Sequence, residues 1–479
     1  MNKKLVFNTI GKLMLMEAAL MLPSLAVSLI ERDGYAWAFL AALGAILLVS
    51  VPQVILIKPE DRTMYTRDGM AIAGISWVCM SVMGCLPLVF AGICGFADAF
   101  FEIASGFTTT GASVLSNMES LPRSIAFLRS FTHWVGGMGV LVLTTAVLPG
   151  ASGGGSLARA ESSGPSFSKL MPKVGDSSKM LYFIYTALTA LLFLALLLCG
   201  MDGFDSLLHA MSTAGTGGFS NKSLSIGYYD SVSVDIVISV FMLMFGVCFV
   251  VYFKLISRDV KGAFKSQELW AYLGVSVLCT VLIAANISSI YGGFAGGLRY
   301  SFFQVSSIVS TTGFSTADFD LWPAFSKALL LLLMLMGSCA GSTAGGLKMI
   351  RVILLVKLAG REVTRAFKPR SVKVIKLDGK SVPEDMLGHI AVFFFVYALI
   401  IVAGMISLAL SGCDLLESIS GSVACISNIG PAFGRFGPMG GFGFLPPVTK
   451  IILALIMLAG RLELYPLLIL FFPSAWRKN

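Results

Sequence analysis

An all-α membrane protein with ten transmembrane helices is the fold this sequence predicts, on three observations. Apolar blocks near 20 residues long recur along the 479 residues, each about the length of a bilayer-spanning helix. Only 13% of residues are charged and 56% are hydrophobic, whereas a water-soluble domain carries about 25% charged residues. Lys and Arg also collect in alternate connecting segments, as the positive-inside rule requires. Soluble enzymes, nucleic-acid binders and disordered scaffolds are excluded, and the net charge of +9 reads as basic flanks of membrane spans.

The ten blocks lie at 8–30, 36–57, 70–93, 131–149, 180–200, 232–254, 270–290, 326–357, 388–410 and 447–472. Helix is the state expected for each, because a lone strand leaves its backbone unsatisfied in lipid. The first block follows Lys3 and Lys4 and mimics a signal peptide, but Lys12 and Glu17 interrupt it and it runs on to Ile30, so it reads as a retained span. With the N-terminus inside, segments 1–4, 58–68, 150–180, 254–268, 348–385 and 474–479 hold 25 Lys and Arg. Outside segments hold six: Arg32, Arg123, Arg129, Lys222, Arg299 and Arg435. Both termini are therefore expected in the cytoplasm. The nine cysteines form no CxxC pair, and His133, His209 and His389 lie far apart, so neither disulfides nor a metal site is expected. No GxSxG or HExxH motif is present to suggest a membrane enzyme.

Four short segments between spans resemble one another: FFEIASGFTTTGAS (100–113), LLHAMSTAGTGGFS (207–220), FFQVSSIVSTTGFS (302–315) and LLESISGSVACISNIGPAFG (415–434). Phe101, Leu208 and Phe303 each precede a glycine, Gly111, Gly218 and Gly313, by the same ten residues; the fourth copy carries Asn428-Ile429-Gly430. The chain then divides into a two-helix hairpin (1–57) and four repeats, 58–150, 151–256, 257–385 and 386–479. Each repeat reads as span, short re-entrant helix, Gly loop, span. Such a loop suits cation passage: glycine adopts φ > 0 without a Cβ clash, and backbone carbonyls can replace the water an ion sheds. Short helices aiming their C-terminal dipoles inward add partial negative charge. Asp98, Glu102, Asp202, Asp205, Asp414 and Glu417 near the helix starts fit N-terminal capping or attraction of cations to the mouth.

Two features lie in the later spans. The run GSCAGSTAGG (337–346) interrupts an apolar block; lipid penalises exposed backbone there, so the loop is expected to face a water-filled path. It is not a nucleotide-binding loop, since Leu347 stands where the lysine is required and Lys348 comes one place late. Arg461 lies within the last block. A charge at mid-membrane costs about 3 kcal/mol on insertion scales and usually faces a cavity.

Taken together, TTTGAS (108–113), GGFS (217–220), TTGFST (311–316), SNIGP (427–431), FTHWVGGMGV (131–140), RAESSGP (159–165), GSCAGSTAGGLK (337–348) and GRLELYPLLIL (460–470) resemble the Trk/Ktr/HKT superfamily of potassium transporters. The two extra N-terminal spans resemble its TrkH-type bacterial subunit. The resemblance implies four M1–P–M2 units around one pore in the bacterial cytoplasmic (inner) membrane, with K+ as the transported ion and no organic cofactor. It implies a selectivity filter at Thr110, Gly111, Gly217, Gly218, Thr312, Gly313, Asn428 and Gly430, with K+ held at Gly111, Gly218, Gly313 and Gly430. Gly217 leaves the second register open by one. A Ser at the first filter position accompanies sodium preference in plant relatives; Gly111 stands there in this chain. The resemblance further implies a gate formed by Gly341, Ser342, Thr343, Ala344, Gly345, Gly346 and the pore-facing Arg461. It implies a homodimer and a cytoplasmic ring of nucleotide-binding, TrkA-type subunits near the basic loop from Lys357 to Lys380. Nucleic acid is not an expected partner; the lipid bilayer is. The competing expectation is a proton- or sodium-coupled symporter, for which Glu17, Asp235 and Glu463 are the candidate titratable groups.

Overall fold

Apolar runs that cannot leave backbone groups to lipid fold as helices, and helices make up nearly all of the regular structure here. The computed structural model describes residues 1–60, 63–139, 174–371 and 373–476. Among these, six helices are long and apolar enough to cross a membrane: Lys3–Glu31, Ala36–Leu56, Thr66–Phe90 (broken briefly at Cys85), Ser178–Leu198, Gln267–Ile287 and Glu384–Leu410. The only strands among the described residues pair Lys376–Leu377 with Lys380–Ser381, through Asp378 and Gly379, both at positive φ. That is the two-residue hairpin turn whose twist suits adjoining strands.

The remaining expected spans are shorter or broken. The block at 131–149 begins as helix Arg123–Met138, and residues 140–149 fall outside the described part. The block at 326–357 is two helices, Ala324–Met336 and Met349–Phe367, on either side of the glycine-rich run. That at 447–472 is helix Pro447–Arg461 followed by the single turn Tyr465–Leu468. The block at 232–254, expected as one span, instead bends by 91° between Val232–Phe245 and Phe249–Ile256. Backbone groups freed at this bend are not lost. Cys339 N–H donates to the Gly246 carbonyl at 3.1 Å, and Phe249 N–H donates to the Gly341 carbonyl at 3.0 Å. Apolarity alone hides the bend, because the partners that permit it come from a segment 90 residues away in sequence.

The two N-terminal helices pack on each other, tied by the Asn8 side-chain amide to the carbonyls of Val54 and Ile57 at 3.1 and 2.8 Å. Leu48, Leu198 and Leu410 on the long helices are all more than three-quarters exposed, an outer surface suited to lipid rather than water. The four short helices are the opposite. Phe96–Phe107, Gly203–Ala214, Phe294–Val309 and Leu415–Ile426 are buried on nearly every side over their second halves, so they form the centre around which the long helices stand.

Candidate functional site

Each short helix ends in the same way. Its last turn closes with a residue at left-handed φ: Thr109 (55°), Thr216 (54°), Thr311 (58°) and Asn428 (56°). The following N–H reaches back five residues to a helix carbonyl: Thr110 to Ser105 at 2.8 Å, Gly217 to Ser212 at 2.9 Å, Thr312 to Ser307 at 2.8 Å, and Ile429 to Ala424 at 3.0 Å. This is the Schellman closure, which ordinarily takes glycine at the left-handed position. A threonine there is strained, and such strain persists where the surroundings over-determine it. One residue further on, a glycine is again at positive φ: Gly111 (77°), Gly218 (78°), Gly313 (82°) and Gly430 (95°). The repeated angles settle the second register. Gly218 matches Gly111, and Gly217 is the counterpart of Thr110, Thr312 and Ile429.

The four loops meet in a closed ring. A Cβ on Gly111 would strike the Gly217 carbonyl oxygen, one on Gly218 the Thr312 oxygen, one on Gly313 the Ile429 oxygen, and one on Gly430 the Thr110 oxygen. Each loop thus touches the next, and the fourth returns to the first. The closing contact carries a hydrogen bond of its own, Asn428 Nδ2 donating to Thr110 Oγ1 at 3.0 Å and to the Met457 carbonyl at 2.9 Å. A cavity of about 600 Å³ opens against the ring, and its lining includes all four glycines. The helix C-termini end at the ring, where their carbonyl dipoles favour a cation.

Behind the ring, side chains on the short helices brace the loops. Glu102, nine residues before Gly111, accepts from Ser113 Oγ at 3.0 Å and Val114 N–H at 2.9 Å. His209, nine before Gly218, lies 3.0 Å from Ser220 Oγ. In the third repeat, Ser307 Oγ donates to the Phe314 carbonyl at 2.6 Å. In the fourth, Glu417 accepts from the Arg435 backbone N–H at 2.9 Å and pairs with its guanidinium at 2.8 Å. Glu102 also pairs with Arg129 at 2.8 Å, both almost completely buried. The acids expected as caps or cation attractors are thus largely spent on structure. Asp202 and Asp414 do cap helices, but Asp98 pairs with Lys450 at 2.5 Å and Asp205 with Lys222 at 3.3 Å. Among the described residues, a bonded pair nine before and two after the glycine is shared only by the first two loops, Glu102 and Ser113 about Gly111 and His209 and Ser220 about Gly218; the spacing was present in the sequence and pairs His209 with Glu102. We expect Glu102→Ala to lower stability by about 3–5 kcal/mol, since it strands a buried guanidinium. Thermal unfolding of the detergent-solubilised protein measures this, and Glu102→Ala with Arg129→Leu should recover part of the loss; equal loss in both would refute the pairing as its source.

The glycine-rich run lies against the ring. Gly345 N–H donates to Thr311 Oγ1 at 2.8 Å, and a Cβ on Gly345 would strike the Ser427 carbonyl oxygen. Gly341 and Gly346 both have positive φ, as does Lys348. Thr343 Oγ1 donates to the Phe245 carbonyl at 3.2 Å, and Ser342 Oγ to the Cys339 carbonyl at 2.6 Å. Arg461 donates to the Thr343 carbonyl at 2.6 Å and to the carbonyls of Gly136 and Gly137 at 2.5 and 2.6 Å. It therefore ties the run to helix Arg123–Met138. Two residues with no role assigned from sequence complete the fastening. Glu268 accepts from the N–H groups of Ala340 and Ile350 at 2.7 and 3.0 Å, one at each end of the run. Lys348, buried, donates to the Ala344 carbonyl. Glu268 reads in sequence as an acid in a first helical turn, and nothing in its spacing points 72 residues ahead.

None of the three symport candidates lies in the ring. Asp235 pairs with Arg299 at 2.7 Å and Glu463 with Arg351 at 2.5 Å. Glu17 is buried against Gly84 on the N-terminal helix.

A family model described as TrkH, cation transport protein, matches residues 39–291 and 294–478. The chain is 36% identical over 487 residues to the Trk system potassium uptake protein TrkH of Escherichia coli K12, covering all of both chains. It is 33% identical to the Trk system potassium uptake protein TrkG of the same strain, over 99% of each. Among solved structures, the crystal structure of the potassium transporter TrkH from Vibrio parahaemolyticus superposes with a TM-score of 0.89 at 33% identity, covering both chains fully.

Proposed function

Because this chain belongs to the TrkH family of cation transport proteins, an integral-membrane family and not an enzyme family, we propose that it takes up potassium through the ring of four loops. Backbone carbonyls of Thr110, Gly217, Thr312 and Ile429, with those of the glycines that follow, stand in for the ion's water. The glycines Gly111, Gly218, Gly313 and Gly430 give the chain room to hold them there. The observation that carries this reading is the cyclic order of contacts, each loop against the carbonyl of the next and the fourth against the first. An all-carbonyl ring carries no fixed charge, so it can release the ion it binds.

In this reading ten helices or broken helices cross the cytoplasmic membrane as four M1–P–M2 units and a hairpin, with both termini inside. The run 341–346 gates flow, and Arg461 holds it under the ring with a positive charge on the path. A homodimer and a cytoplasmic nucleotide-binding ring acting on the gate complete the assembly; the relatives' names describe a Trk system, which supports a further component. Coupled symport is disfavoured by the ion pairs at Asp235 and Glu463.

The test is rescue of a potassium-uptake-deficient bacterium at low external potassium. The chain is expected to restore growth, and Gly111→Ser to restore it less well at low potassium while admitting more sodium. No rescue by a chain that reaches the membrane, or a current whose reversal follows pH instead of the potassium gradient, would overturn the reading.

A further inference from the structure

The intramembrane run has two ends with different surroundings. Gly345 touches the ring, whereas Ala340 and Gly341 line a second cavity of about 590 Å³, within the size range of sites for organic ligands. Its interior is apolar, with Phe249, Leu354 and Met386 among the lining residues, and its charged lining includes Lys254, Lys265 and Lys380. Two acids share the lining, and one oxygen of each accepts from the backbone. Glu268 accepts the Ala340 and Ile350 N–H groups, and Asp378 accepts from Gln267 N–H at 2.8 Å. Lys254 Nζ donates only to the Gly262 carbonyl among its described hydrogen bonds, at 3.2 Å. The cavity therefore has more lysines than acids in an otherwise largely apolar lining.

The segment that walls it marks its depth. Between Lys254 and Trp270, Ile256, Val260, Phe264 and Trp270 are each about half exposed, alternating with Arg258, Lys261 and Lys265. The Trp270 indole N–H donates to the Phe264 carbonyl at 2.8 Å. Exposed apolar and aromatic side chains interleaved with cations belong at the headgroup level of a bilayer.

We propose that this cavity binds an anionic phospholipid of the cytoplasmic leaflet. The phosphate sits on Lys254, Lys265 and Lys380, and acyl chain lies over Phe249, Leu354 and Met386. Occupancy bears on the gate through the Phe249 N–H to Gly341 carbonyl bond, which joins the cavity wall to the run. This last step rests on the gating reading given above, and the choice of leaflet on the orientation given there; binding of the lipid itself does not.

Native mass spectrometry of the purified full chain, titrated with phosphatidylglycerol or phosphatidylcholine, tests binding. Retention of phosphatidylglycerol over phosphatidylcholine is expected, falling at least about fivefold, the worth of one lysine at an anionic surface, in K254Q/K265Q/K380Q. Leu377→Trp, which narrows the cavity without changing charge, is expected to lower retention as well. Equal retention by wild type and both variants overturns the proposal, and so does equal binding of soluble glycerol phosphate, which would make the site one for free phosphate. Potassium flux is then compared in vesicles of phosphatidylcholine alone and mixed with phosphatidylglycerol. Lipid-dependent flux in wild type that the triple variant loses supports the link to the gate. Lipid retention with no flux in any vesicle leaves the binding site standing and removes the transport reading instead.

Discussion

Gly313→Ala is expected to cut potassium flux sharply while the protein still folds and inserts. Gly313 has φ 82°, where an L-residue costs about 1–3 kcal/mol, and its Cβ would meet the Ile429 carbonyl and, at 2.9 Å, Pro431 Cδ. The neighbouring loop cannot yield without breaking the Schellman bond from Ile429 to Ala424. Flux into vesicles should fall at least about tenfold, the effect of roughly 1.4 kcal/mol. Gly34→Ala separates backbone strain from ring damage. Gly34 has the same φ of 82° with nothing within 4 Å of an added Cβ, so this variant should lose the same backbone-strain increment of stability and keep its flux. Comparable flux in the two variants would show that the ring is not the path.

Arg461→Ala is expected to act in the opposite direction and raise flux. The guanidinium holds carbonyls from two separate elements, Thr343 on the intramembrane run and Gly136 and Gly137 on the first repeat. Hydrogen bonds from a charged donor contribute about 1.5–3 kcal/mol each. Losing even one such increment from the closed arrangement multiplies the open population by about tenfold or more while closed molecules predominate. Removing the charge also lifts electrostatic repulsion on an entering cation. Arg461→Lys keeps the charge but not the planar fork, so it should give an intermediate flux. Unchanged or reduced flux in Arg461→Ala at normal expression would exclude it from gating.

The helical class of fold, the order of short helices and Gly loops, and the glycine-rich break between two later helices were legible from the chain because they rest on local signals. Apolar block length, internal repetition and glycine in an otherwise apolar span need no knowledge of partners. The second register was not settled by sequence: the ten-residue spacing favours Gly218, but the adjacent Gly217 left it open by one. It became clear only through φ, with Thr216 taking the left-handed place of Thr109 and Thr311. Asn428 in the fourth loop read as a departure from the repeat. It occupies the same backbone position, and its amide supplies the link to Thr110 that a threonine could not. The 91° bend after Phe245, the fastening of the run by Glu268, and the burial of Glu102 with Arg129 were hidden for a different reason. Each depends on a contact between residues far apart in the chain, and hydropathy carries no record of pairing.

Because the ring is drawn from one polypeptide instead of four identical chains, its quadrants are chemically unequal, and Asn428 makes one seam unlike the other three. A symmetric assembly of separate subunits would receive every substitution in quadruplicate. Here evolution, or an experimenter, can retouch a single edge and leave its counterparts intact, so under the proposed potassium uptake the balance among competing ions is open to adjustment in quarter steps.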